Sequence, residues 1–160
     1  MWKERRKLIN RLKYLSEILR RYENIFPEIY AEGVQAARKG NVKKYIFIPS
    51  GKVLWLIVGR EFEYLVTSYY DKDTLEERFL CSCPDFLFHI LLKTRPDTLQ
   101  RRKYCYHIIA RIYSELEEIK KALNLKYDER GLPETIAVED NYFEILILEI
   151  LEMINAQTED

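Results

Sequence analysis

Apolar residues in the first stretch of the chain recur in steps of three and four. Leu8, Leu12, Leu15, Leu19, Tyr22 and Phe26 are spaced 4, 3, 4, 3 and 4 apart, which puts them on one face of a helix, with Lys and Arg on the others. Pro27 ends or kinks that helix, because proline lacks an amide hydrogen and crowds the preceding turn. A second, shorter helix is predicted over residues 28–38, and Gly40 with Asn41 supplies the left-handed stop such helices favour. The period then changes to that of strands. Residues 45–48 and 53–58 are β-branched and aromatic runs, separated by the turn residues Pro49, Ser50 and Gly51. Gly59 breaks the second run, residues 64–70 read as a third strand, and residues 78–80 open a fourth that runs into Cys81. The pattern is an antiparallel meander.

Helical spacing returns after Cys81. Residues 85–92 are aromatic and aliphatic, and Pro96 interrupts them. From Tyr106, the residues Ile108, Ile109, Ile112, Leu116 and Ile119 recur at helical steps to about Leu123. Gly131 and Pro133 mark a loop, and a last helix is predicted over residues 139–155. The expected fold class is α+β: a small antiparallel sheet of three or four strands, flanked by N-terminal and C-terminal helices. Residues 1–39 form a helical segment, 40–123 a central core and 124–160 a C-terminal helical extension, all within one compact domain.

Length agrees, since 160 residues suffice for one core but not for two. With 48% hydrophobic and 32% charged residues, the chain is not of the disordered class. No cleavage site follows the basic start MWKERRK, and no run of about 18 uncharged apolar residues occurs. The expectation is a cytoplasmic protein, or a nuclear one in a eukaryote, with no membrane partner and with reduced cysteines.

Zero net charge hides an asymmetry. Residues 1–23 hold eight Lys or Arg and three Glu, whereas residues 134–160 hold eight Asp or Glu and no base. These are either solvated helix faces that complement each other, or a basic arm for an acidic partner and an acidic tail. Between Tyr142 and Ile154 the only charges are Glu144, Glu149 and Glu152, which share one stripe. The remaining arc of about 220° is apolar, wider than a surface helix needs. Either this is a central core helix, or its face, Phe143, Ile147, Ile150, Leu151 and Ile154 foremost, docks a partner chain or a second copy.

The chemistry is concentrated in the cysteines. All three, with one of the two histidines, fall into two short pairs: Cys81-Ser82-Cys83 and Cys105-Tyr106-His107. Three is an odd number, so a disulfide framework fits poorly. A Cys-x-Cys pair at a strand end and a Cys-x-His pair at the first turn of a helix can together fill the tetrahedral shell of one Zn²⁺ through Cys81, Cys83, Cys105 and His107. Four protein ligands leave no open position, so the ion would be structural, tying strand to helix across a 21-residue insertion. Buried core cysteines are the alternative; three in one ligand-like constellation favour metal. His89, in the apolar run FLFHILL, is the competing imidazole.

These residues resemble the SWIM zinc finger, whose pattern is Cys-x-Cys, a variable insertion, then Cys-x-His. The resemblance extends over residues 31–115. AEGVQAARKGNV precedes the strands, VGREFEYLV matches a characteristic run with one additional residue, and CSCPDF and CYHIIA match the ligand ends. The stretch CSCPDFLFHILLK resembles more specifically the SWIM subunit of Shu-type recombination accessory complexes. That resemblance implies a RecA-family recombinase paralogue as partner and a role in homologous recombination. Tyr106 stands where a basic residue is frequent, which weakens any nucleic-acid role at that turn.

Two functions are therefore expected to compete. One is an interaction module that docks its partner, or itself, through the last helix. The other is direct DNA binding, with the basic first helix and Lys93, Arg95, Arg101, Arg102 and Lys103 neutralising phosphates. The sequence pI near 6.8 is low for a dedicated nucleic-acid binder. An enzyme is not expected: no Gly-rich phosphate loop is present, no carboxylate pair stands near a spare histidine, and metal ligation would occupy Cys105.

Overall fold

The computed structural model describes residues 2–91 and 102–158. Two helices open the chain, α1 (Trp2–Ile25) and α2 (Pro27–Arg38), with Pro27 at the first position of α2. The stop of α2 is the expected one. Gly40 takes φ +79°, and the Asn41 N–H donates back to the Ala36 carbonyl at 3.1 Å. Strands β1 (Val42–Ile48), β2 (Val53–Val58), β3 (Glu63–Asp71) and β4 (Glu76–Cys81) form the antiparallel meander. A short helix α3 (Pro84–Phe86) runs into a wide π-type turn over Leu87–Leu91, and α4 (Tyr106–Ala122) follows Cys105.

The sheet is wider than the meander. Residues predicted as loop and helix start form a fifth strand, β5 (Glu134–Glu139), which pairs parallel to β1 with Tyr45 opposite Ile136. Strand order is β4-β3-β2-β1-β5, so the α+β class stands and the sheet is mixed. The last helix, α5 (Phe143–Thr158), starts four residues later than the pattern implied.

Both faces of this sheet are covered. Along β2, Trp55 and Ile57 turn to a core shared with α1, α2 and α4, while Leu56 turns to the other side. That double burial explains why β2 reads VLWLIV without polar alternation. On the far side Phe47 and Leu56 are capped by Leu146 and Ile150 of α5, with Phe143 and Ile154 packed around them. The wide apolar face of α5 is thus divided. Phe143, Ile150 and Ile154 lie against the protein's own sheet, Ile147 is half-buried, and Leu151 is exposed.

Part of the basic face of α1 is internal as well. Arg11 forks between Glu77 of β4 and Glu115 of α4. Glu115 also pairs with the buried Arg111 at 3.2 Å, whose guanidinium lies 5.1 Å from the Trp55 ring and 4.9 Å from that of Phe79. This chain of charges joins α1, the sheet and α4.

Candidate metal centre

Both ends of the four-residue set are held by short, local hydrogen bonding. β4 ends at Cys81, and Ser82 extends its pairing: the Ser82 N–H donates to the Leu65 carbonyl at 3.0 Å, and the Leu65 N–H donates to Ser82 Oγ at 2.9 Å. In extended chain, residues two apart share a face, so Cys81 and Cys83 project together. Cys83 then caps α3, with Pro84 at the first helical position and the Phe86 N–H donating to Cys83 Sγ at 3.3 Å. The CSCP sequence therefore reads as strand end, strand continuation, cap and helix start.

The second pair is anchored from α1. The hydroxyl of Tyr22 accepts the N–H groups of Lys103 and Tyr104 at 2.9 and 2.8 Å, and its ring stacks on Tyr104 at 5.7 Å. Burial pushes the Tyr22 hydroxyl up to about 12, so it remains a neutral phenol. Cys105, extended at φ −86° and ψ 173°, precedes α4 without a side-chain capping bond, which leaves its sulfur to the cluster. His107 sits on the first turn of α4, its ring between those of Tyr64 at 4.7 Å and Tyr106 at 4.0 Å.

One ligand atom from each of Cys81, Cys83, Cys105 and His107 lies within 4.8 Å of every other, and all four residues are buried. Cys105 Sγ and His107 Nδ1 are 3.7 Å apart. A tetrahedral zinc ion, with bonds of about 2.3 Å to sulfur and about 2.0–2.1 Å to nitrogen, sets S···N edges of about 3.6 Å and S···S edges of about 3.8 Å. The Cys105–His107 separation matches an edge of such a shell. His107 Nε2 is buried and makes no hydrogen bond among the described residues, so the imidazole's polar contact is through Nδ1 to the sulfurs.

Electrostatics point the same way. Hydrogen bonds from Cys105 and Cys81 hold the Cys83 thiol far below the usual range. Burial, ahead of other causes, pushes Cys81 and Cys105 up. All three can ionise together only if a cation replaces the shared protons. With Zn²⁺ the cluster would carry about −1. Arg102 is near enough to respond to Cys105, although its hydrogen bonds to Asp85, at 2.8 and 2.9 Å, do most to raise its pKa.

The other candidate residues fall elsewhere. His89 is exposed, 3.0 Å from Asp85 Oδ1, and outside the cluster. His89→Ala is therefore expected to keep its full metal content, measured by elemental analysis. Of the basic residues assigned to phosphate contact, Arg102 is bonded to Asp85 and the backbone of Lys103 to Tyr22. Lys93, Arg95 and Arg101 lie outside the described residues. Phe86 and Ile90 enter the core, whereas Phe88 is exposed. The supporting role of Tyr22 was not foreseen, because its helical spacing explains it fully as a core residue.

Comparison with known proteins gives one match. The chain is 30% identical over 95 residues to a Dictyostelium discoideum protein named zinc finger SWIM domain-containing protein 7 homolog. The aligned part is 58% of this chain and 51% of that protein, so the chain spans about half the length of the curated relative it matches. No family model and no solved structure matches. No helix among the described residues is long and apolar enough to cross a membrane. The partial similarity to a protein named for a SWIM zinc finger and the buried Cys-Cys-Cys-His cluster together support zinc binding.

Proposed function

We propose that this chain holds one structural Zn²⁺ through Cys81, Cys83, Cys105 and His107, and that it serves as a non-enzymatic interaction module in homologous recombination, partnering a RecA-family recombinase paralogue. The observation that carries the metal assignment is the closed, buried four-ligand set. Zinc would bind there as a tetrahedral ion with no position left for water or substrate. The protein's own contribution is to hold the ligands: Ser82 fixes the strand end, Tyr22 fixes the approach to Cys105, and Tyr64 and Tyr106 hold the ring of His107. The recombination role rests on the likeness of CSCPDFLFHILLK to Shu-type SWIM subunits.

Thiol alkylation separates bound from unbound cysteine. In the native protein the three thiols are expected to react slowly, and after chelation quickly, because zinc shields the thiolates it holds. Equal rates with and without chelator would remove these cysteines as ligands. The recombination role is tested by affinity purification from the native cell extract with mass spectrometry. A RecA-family paralogue in near-equal amount is expected. A zinc-loaded protein that brings down no protein of that class would reject the role and leave the metal assignment standing.

A further inference from the structure

Two helix faces remain open to solvent with opposite charge. On α5, the side turned away from the sheet exposes Ile145, Leu148 and Leu151 to 49%, 60% and 49%. Glu144, Glu149 and Glu152 are exposed among them. On α1, Trp2 is 79% exposed and Ile9 37%. They are two turns apart and so lie on one stripe, off the face that buries Leu15, Ile18, Leu19 and Tyr22. Arg5, Arg6 and Lys13 are exposed along that stripe and form no ion pair among the described residues.

Isolated exposed leucines need no explanation, but rows of them on a helix do. The glutamates interleaved with these side chains decide what can cover α5. A second α5 would bring glutamates against glutamates, and like charges across a contact cost several kcal/mol. A helix face with exposed apolar side chains set among basic ones fits instead, and α1 carries such a face.

We propose that the outer face of α5 receives the Trp2–Ile9 face of α1 from a second copy of this chain, apolar stripe on apolar stripe, with Arg5, Arg6 and Lys13 against Glu144, Glu149 and Glu152. This inference is independent of the zinc centre and of the recombination role. Each copy carries both faces, so two copies can close a two-fold pair by meeting reciprocally, α1 on α5 and α5 on α1, or continue head-to-tail into rings or open chains. A contact between two helix faces is smaller than the about 1,200–2,000 Å² of stable complexes, so it is weak and reversible. Its borders are exposed charges, so salt screens it.

Light scattering and sedimentation of the full chain test this. The weight-average mass is expected to rise to about twice that of the monomer, or beyond, with protein concentration at about 0.05 M salt, and to return to the monomer at about 0.5 M. Two charge-reversed variants sharpen the test. Arg5→Glu with Arg6→Glu makes both faces acidic, and Glu149→Arg with Glu152→Arg makes both basic. Each variant alone should stay monomeric, and an equimolar mixture should associate again. Leu148→Asp, at an exposed site, should keep the circular dichroism and zinc content of the parent and lose association. A wild-type protein that remains monomeric at low salt overturns the proposal, as does association that survives both charge reversals or a mixture that fails to restore it.

Discussion

Removing zinc is expected to cost this protein several kcal/mol of stability. The ion would tie together three buried sulfurs and a buried imidazole whose ligand atoms lie within 4.8 Å of one another. Without it, the link between the end of β4 and the first turn of α4 is lost. Structural zinc binds finger peptides with about 10–16 kcal/mol, which equals or exceeds the about 5–15 kcal/mol that stabilises a whole domain. The larger core here supplies part of the stability without metal, from Leu15, Leu56, Ile57, Ile108, Ile109 and Ile112. A loss of about 4 kcal/mol lowers the melting temperature of a chain this size by about 8–16 °C. Cys105→Ala should fall in or above that range and lose zinc, because its sulfur belongs to the cluster and its backbone starts α4. Differential scanning calorimetry before and after chelation, and after adding back one equivalent of zinc, measures the effect. An unchanged transition would contradict it.

A substitution that never touches the ligands should also disturb the metal. Gly33, in the middle of α2, lies where that helix crosses the start of α4. A Cβ there would stand 2.6 Å from Ile109 Cγ2 and 2.9 Å from the carbonyl oxygen of Tyr106. Tyr106 sits between the proposed ligands Cys105 and His107, so the clash pushes on that turn itself. A helical glycine ordinarily costs about 1 kcal/mol relative to alanine; here the missing side chain is what lets the helices meet. Gly33→Val should lower stability by about 1–3 kcal/mol or more through overpacking, and should speed zinc loss to a chelator. Gly40→Ala provides the contrast. Nothing lies within 4 Å of its Cβ position, and the penalty comes from φ +79° alone. It should cost about 1–2 kcal/mol and leave zinc exchange unchanged. Equal zinc-release rates for wild type and Gly33→Val would show that the α2–α4 contact does not position the ligands.

Features that depend on local spacing were legible in the sequence. Cys81 and Cys83 are two apart at the end of a strand, and Cys105 and His107 flank a helix start, so spacing alone singled out the four residues that the fold brings together. The meander was legible because β-branched runs alternate with Gly and Pro turns. β5 was not, because ETIAVE is short and ordinary in composition, and its pairing with β1 brings together residues far apart in sequence. The division of α5 followed from that omission. Its apolar arc is wide enough for a core helix or a docking helix, and only the sheet beneath it assigns Leu146 and Ile150 to the core and Leu148 to solvent. Tyr22 was invisible as a support for Cys105 for the same reason: its hydroxyl meets the amides of Lys103 and Tyr104 only in the folded chain.

The most direct test of the zinc centre is X-ray absorption at the zinc edge on the purified protein, with elemental analysis of the same sample. The expected result is about one zinc per chain, with three sulfurs at about 2.3 Å and one nitrogen at about 2.0–2.1 Å. The nitrogen shell should disappear or be replaced in His107→Ala and persist in His89→Ala. A protein free of zinc, a shell of oxygen ligands, or a spectrum unchanged by both Cys83→Ala and His107→Ala would contradict the assignment.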